Sequence, residues 1–218
     1  MSIRTRRAHA IVAIVALAVL PTLAQETTKD SALRRHLSTP AESATIAEHV
    51  LTLFSRASVH GGIAIVNGQC QEPSEEFPKF DGDLEEAMRR LASTGHEIHW
   101  LQLGEQLFVY NTPSPPALLT VAVREFHFSR KQALAKSSAE LLDAPEVSDK
   151  ARSLHLVEYG PDLGFAGPRQ AETPQDIVTL SNATVVEALS SIAGNHGVWL
   201  YKESRCEKNV MSLNWPVR

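Results

Sequence analysis

DLEEAMRRLASTGHEIHWLQLGEQLFVY, residues 83–110, changes its hydrophobic period once, and that change decides the fold. Leu84, Ala87, Met88, Leu91 and Ala92 recur at i, i+3, i+4, i+7 and i+8, one apolar stripe on a helix. Asp83 is placed to cap the first turn, and Glu86 stands three residues later, the spacing of a capping box. Gly95 ends the helix. Beyond it the pattern predicts two strands, 97–103 and 106–110, joined at Gly104-Glu105 as a hairpin.

The same order of signals returns 101 residues downstream. Thr184 stands where Asp83 stood and Glu187 where Glu86 stood, so a second cap is predicted. Val185, Ala188, Leu189, Ile192 and Ala193 repeat the stripe. Gly197 is read as the stop, with strands at 198–202 and 209–215. A helix followed by a hairpin cannot bury its stripe alone, so each helix is expected to pack on a sheet. The fold class predicted is α+β, with two helix-plus-hairpin units and a helical middle segment.

These residues resemble a known family. The run 83–110 is similar to the helix-strand-strand half of the secretin/TonB short N-terminal (STN) domain, whose pattern is an L-x-x-A-L-x-x-L helix, a T-G and a strand pair. Leu84, Ala87, Met88, Leu91, Thr94 and Gly95 match it. The run VTLSNATVVEALSSIAGNHGVWLY, 178–201, resembles it through Val185, Ala188, Leu189, Ile192 and Gly197, with Asn195-His196 in place of T-G. The likeness covers about 60 residues, and residues 112–174 have no counterpart in it. The chain also ends at Arg218 without the secretin ring or barrel that commonly follows such units. The resemblance implies βαββ units in an exported interaction module, and it supplies no catalytic residue.

Working outward, residues 1–24 read as a signal peptide. Arg4, Arg6 and Arg7 precede the apolar run Ala10–Leu20, Pro21 breaks it, and cleavage is expected after Ala24. The run is too short to cross the roughly 30 Å hydrocarbon core as a helix. An uncleaved anchor is the alternative. The address implied is the periplasm or the extracellular space, with no membrane insertion after cleavage. Removing these residues takes the net charge from −4 to −7. An acidic chain with no basic block is a poor binder of nucleic acid.

The remaining boundaries follow from composition. Residues 25–43 are expected to be a flexible leader. Residues 44–111 form the first unit, opening with a helix over 44–58 on Ile46, Val50, Leu53, Phe54 and Ala57, stopped by Gly61-Gly62. Ile63–Val66 is a buried strand, and 69–82, with Pro73, Pro78 and Gly82, is a loop. Residues 112–174 hold a strand (118–128), a helical pair (130–143 and 146–157) and a Gly/Pro-rich connector. Residues 175–218 form the second unit, opening with a strand at 177–180.

The two cysteines, Cys70 and Cys206, are expected to form a disulfide in an oxidising compartment, the alternative being two buried thiols. Neither has a second cysteine or a histidine at metal-ligand spacing. His96-Glu97-Ile98-His99 is one residue short of the H-E-x-x-H zinc motif and begins a strand, where the two histidines diverge. Asp81-Gly82-Asp83 lacks a calcium loop's ligand series, so capping accounts for Asp83. His127 and His155 have no nucleophile beside them in sequence. No catalytic, metal or cofactor residue is therefore assigned, and no cofactor is expected.

The predicted hairpins are apolar on both sides, so both faces need cover. One face takes a helix; the other takes the rest of the chain or a partner. If a partner, Trp100, Trp199, Tyr201 and Trp215 are the candidate interface anchors. The function expected is a non-enzymatic module binding an envelope protein. The alternatives are a small hydrolase with a dispersed site and a carrier for an apolar ligand.

Overall fold

The computed structural model describes residues 32–69, 71–158, 176–194, 197–206 and 209–216. The expected signal peptide, Cys70, the expected connector over 159–174 and His196 lie outside the described residues. The fold is α+β, as the periodicity predicts.

At its centre is a six-stranded mixed sheet. Strand β3 (Gly61–Asn67) lies between β7 (Gln106–Tyr110) and β11 (Val198–Arg205), and both run parallel to it. Strand β6 (His99–Leu103) pairs antiparallel outside β7, and β12 (Asn209–Asn214) does so outside β11. The two-residue β9 (Val157–Glu158) completes the order β6-β7-β3-β11-β12-β9. Both predicted hairpins are thus present, and their strands join one sheet.

The sheet is covered on both faces, each by a different set of helices. Helices α1 (Ile46–Arg56) and α2 (Leu84–Ser93) pack Val50, Leu53, Phe54, Leu84, Met88 and Leu91 with Ile63, Ile65, Leu107, Val109, Val198 and Leu200. Helices α3 (Leu134–Leu142), α4 (Pro145–Ser153) and α5 (Val185–Ala193) pack Leu141, Val147, Val185 and Leu189 with Ala64, Phe108, Tyr110, Trp199 and Tyr201. Alternate residues of each strand therefore serve opposite cores, which is why these strands are apolar throughout. The stripe-bearing helices of the repeat, α2 and α5, lie on opposite faces. Their hairpins also differ in placement: the second strand of the first hairpin touches β3, whereas in the second hairpin it is the first strand that does.

The caps follow from side-chain chemistry. In α5, Thr184 accepts from the Glu187 amide while the Glu187 carboxylate accepts from the Thr184 amide at 2.7 Å. In α2 only half of the box forms. Asp83 Oδ1 accepts from the Glu86 amide at 2.8 Å, but the Glu86 side chain turns to Arg90 at 2.6 Å. Helix α1 carries a full box of its own on Thr45 and Glu48. The amide of Thr45, donating to Glu48, holds that carboxyl below its usual range.

Several expectations are corrected. The expected leader (25–43) is built into the fold from Ala32 onward: β1 (His36–Thr39) pairs with β5 (Phe80–Asp83), and β2 (Glu42–Ala44) pairs with β4 (Glu75–Phe77). Leu37 and Thr39 are buried by that pairing. The same contacts make strands inside 69–82, where proline and glycine predict a loop, because each short strand is completed by a distant one. Gly194, at φ +54, stands at the α5 C-cap in place of Gly197. Gly61 and Gly62 end no helix. Helix α1 stops at Arg56, and both glycines lie in β3. They are required by close approach: a Cβ on Gly61 would sit 2.0 Å from the Leu107 carbonyl oxygen, and one on Gly62 2.0 Å from the Trp199 ring. The middle strand, β8 (Ala122–Ser129), starts later than expected and pairs with β10 (Ile177–Thr184) in a separate ribbon.

Strand β11 also buries a polar pair. The Tyr201 hydroxyl donates to Glu203 Oε2 at 3.0 Å, and Glu203, itself buried, accepts from Arg205 Nε at 2.6 Å. Burial, and then the Glu203 charge and hydrogen bond, raise the Tyr201 phenol well above its ordinary value. The unfolded chain ionises this tyrosine near about pH 10, while the folded chain keeps the proton. The stability that comes with the neutral phenol is therefore complete below pH 10 and is lost as pH rises beyond it. Tyr201→Phe should cost about 1–2 kcal/mol at pH 8 through the lost hydrogen bond. It should also flatten the fall of stability between pH 9 and pH 11, measured by urea unfolding. Equal slopes in the two proteins would contradict this assignment.

Candidate functional site

Of the four aromatic residues expected as interface anchors, two are corrected outright. Trp199 and Tyr201 are 0% and 1% exposed, part of the core beneath α5. The chain itself covers them, so they cannot meet a partner in the folded protein. Trp100 is half-buried against the α1/α2 core. Trp215 is half-buried on the opposite side, its Nε1 donating to Ser138 Oγ at 3.1 Å. The aromatic residues therefore form no common patch.

The histidines separate likewise. His96 Nε2 lies 2.9 Å from Glu75 Oε2, whereas His99 stacks on Tyr110 with ring centroids 5.5 Å apart. His155 sits in the turn after α4 with φ +54. His127 lies between two neighbours: Nδ1 is 2.9 Å from Thr179 Oγ1 and Nε2 is 3.4 Å from Glu125 Oε1. Carboxylate, imidazole and hydroxyl are connected as in a nucleophilic triad. However, Thr179 is the cross-strand partner of His127 on the β8/β10 ribbon, and the His127 and Glu125 side chains are 55% and 64% exposed. A cross-strand polar pair on a solvated surface accounts for the arrangement.

The site that sequence reasoning missed lies between α1, α2 and the segment 77–80. Leu53, Phe77, Phe80, Ala87 and Leu91 form the apolar walls of a shallow cleft of about 80 Å³. Its polar lining is His49, Lys79, Arg90 and Thr94. His49 is 8% exposed and is fixed from two directions. Its ring stacks on Phe77 with centroids 3.8 Å apart and planes within 3°, and Nδ1 meets Glu42 Oε1 at 2.7 Å. With Nδ1 bonded to the carboxylate, Nε2 is the remaining polar atom of this ring. Arg90 reaches over the Phe80 ring at 4.9 Å while paired with Glu86.

The cleft exists because the N-terminal strands are part of the fold. Strand β2 brings Glu42 to His49, and β4 carries Phe77 onto the imidazole. One signal for it was present in the sequence. His49 falls three residues after Ile46 and four before Leu53, inside the α1 stripe, where a polar residue is an exception. Chemically, the site offers an apolar recess with cations at its rim and an oriented imidazole in its wall. Pockets of this composition bind by shape and orient by a few polar groups.

Compared with known proteins, the chain matches no family model, no curated protein and no solved structure. Among the described residues no helix is long and apolar enough to cross a membrane.

Proposed function

We propose that this chain is a non-enzymatic interaction module, exported to the periplasm or beyond, that binds an envelope protein in the manner its STN resemblance implies. The cleft between α1 and α2 receives an apolar group of the partner. One observation carries this reading: a recess with apolar walls stays open while Trp199 and Tyr201 are packed inside, and a buried, doubly anchored histidine stiffens its wall. A pre-formed recess costs less ordering on binding than a loop that must fold around its ligand. The signal-peptide pattern at residues 1–24 supports the exported address.

Thr94 stands at the cleft on the exposed end of α2, so Thr94→Trp should fill the recess without disturbing the core. Immobilised mature protein is expected to retain a specific protein from envelope extract, and the Thr94→Trp chain, folded by circular dichroism, to lose it. Retention of the same protein by both chains, or of none by the wild type, would refute this function.

A further inference from the structure

We infer that two copies of this chain pair along strand β10, antiparallel and in register about Thr179, so that two β8/β10 ribbons become one four-stranded sheet. The inference stands apart from the cleft, which lies on the α1/α2 side, whereas β10 borders the α5-side core.

The first argument is an open edge. Among the described residues β10 pairs with β8 alone, and Ile177–Ala183 makes no backbone hydrogen bond outside that pairing. An edge strand turns the N–H and C=O groups of alternate residues outward, as a template for another strand. Proteins protect such an edge with charge, with proline or by keeping it very short. This one reads IVTLSNA, with neither charge nor proline. The chain is acidic overall, so copies of it repel, and β10 is a stretch along which two of them meet without opposing like charges.

Burial sets the register. Ile177, Thr179 and Ser181 are exposed, while Val178 and Leu180 pack against the α5-side core and stay half-buried. The core therefore reaches this edge without being closed there. A twofold axis perpendicular to the ribbon keeps both inner faces on the same side, so residues of like face stand opposite one another. The run has two ends: the Asp176 carbonyl is taken by the Arg130 amide, and Asn182, at φ +53, bends the strand. Centred on Thr179, every residue between those ends pairs. Val178 then meets Leu180 of the second copy, and Leu180 meets its Val178, which covers the half-buried apolar pair. Thr179 meets its own counterpart on the outer face, a cross-strand pair that sheets favour. Ile177, 50% exposed, meets Ser181. Whichever alternate set of backbone groups points outward, this register satisfies it. So short a run on each side makes a small interface, which places the dimer in the weak, transient class.

The test is sedimentation equilibrium of the full mature chain, wild type beside Thr179→Lys, each folded by circular dichroism. The wild-type mass should rise with concentration from that of one chain towards that of two. Thr179→Lys sets two ammonium groups face to face and should weaken association about tenfold or more. Oxidative cross-linking, with the wild type as control, reads the register. Thr179→Cys should link to its own counterpart, because residues directly opposite across antiparallel strands lie within disulfide reach. Ser181→Cys alone should not, yet it should link to Ile177→Cys when the two chains are mixed. A mass of one chain at every concentration, association unchanged by Thr179→Lys, or Ser181→Cys linking to itself as readily as Thr179→Cys would each overturn the inference.

Discussion

Gly62→Ala is expected to destabilise the protein by about 3 kcal/mol or more, at the upper end of what overpacking a core costs. Gly62 pairs with Phe108 on one side and Trp199 on the other, and the indole lies across it. An added Cβ would stand 2.0 Å from Cζ2, 2.2 Å from Cε2 and 2.4 Å from Cη2 of that ring. No real contact is that short, so either the indole or the strand must move. The indole is fully buried and packs on Phe108 with centroids 5.3 Å apart. Its movement therefore disturbs the whole α5-side core, because interiors are close-packed. Urea unfolding of Gly62→Ala beside the wild type gives the value directly. Trp199→Leu in the Gly62→Ala background should recover part of the loss, since the two positions are coupled by contact. A Gly62→Ala midpoint equal to the wild type would show that the indole does not occupy this position.

The second large effect concerns the cysteines. We propose that Cys70 and Cys206 are bridged, although Cys70 lies outside the described residues. Strands β3 and β11 run parallel with Asn67 opposite Ser204. Just beyond that pair, Ser204 Oγ donates to the Gln69 carbonyl oxygen at 3.3 Å. Two neighbouring strands running the same way thus deliver the residues next to both cysteines to one end of the sheet. No cysteine among the described residues is free. A bridge closing a loop of this length constrains the unfolded chain by about 5 kcal/mol in the chain-entropy model. Cys70→Ser and Cys206→Ser should each lower stability by about 3–5 kcal/mol, with the double variant no worse than either alone. Thiol titration in denaturant without reductant should find none, and two titratable thiols would remove the proposal.

How much could be read from the chain depended on the range of the interaction. Helix α2 was legible because its cap, its stripe and its stop lie within thirteen residues. The hairpin at Gly104-Glu105 was legible for the same reason, and Gly104 has the positive φ, +64, that its turn needs. The strands β4 and β5 were not, because their own residues carry turn signals and only Glu42–Ala44 and His36–Thr39 make them strands. The candidate site shared that fate. Phe77, Lys79 and Phe80 belong to a segment read as loop, and Glu42 to one read as a mobile leader. Only His49, a polar residue inside an apolar stripe, marked the place.

The sequence by itself determined that there are amphipathic helices, that two of them are followed by hairpins, and that the hairpin strands need cover on both faces. These are consequences of spacing along the chain, and periodicity records them. Tertiary structure alone decided that α2 and α5 lie on opposite faces of one sheet, that Trp199 and Tyr201 face inward, and that Gly62 is a contact point. An apolar stripe requires a face to cover but is satisfied equally by either face of a sheet. Which face it covers depends on strands more than a hundred residues away, as β11 is from β3. The cleft on the α1/α2 side is a product of that choice.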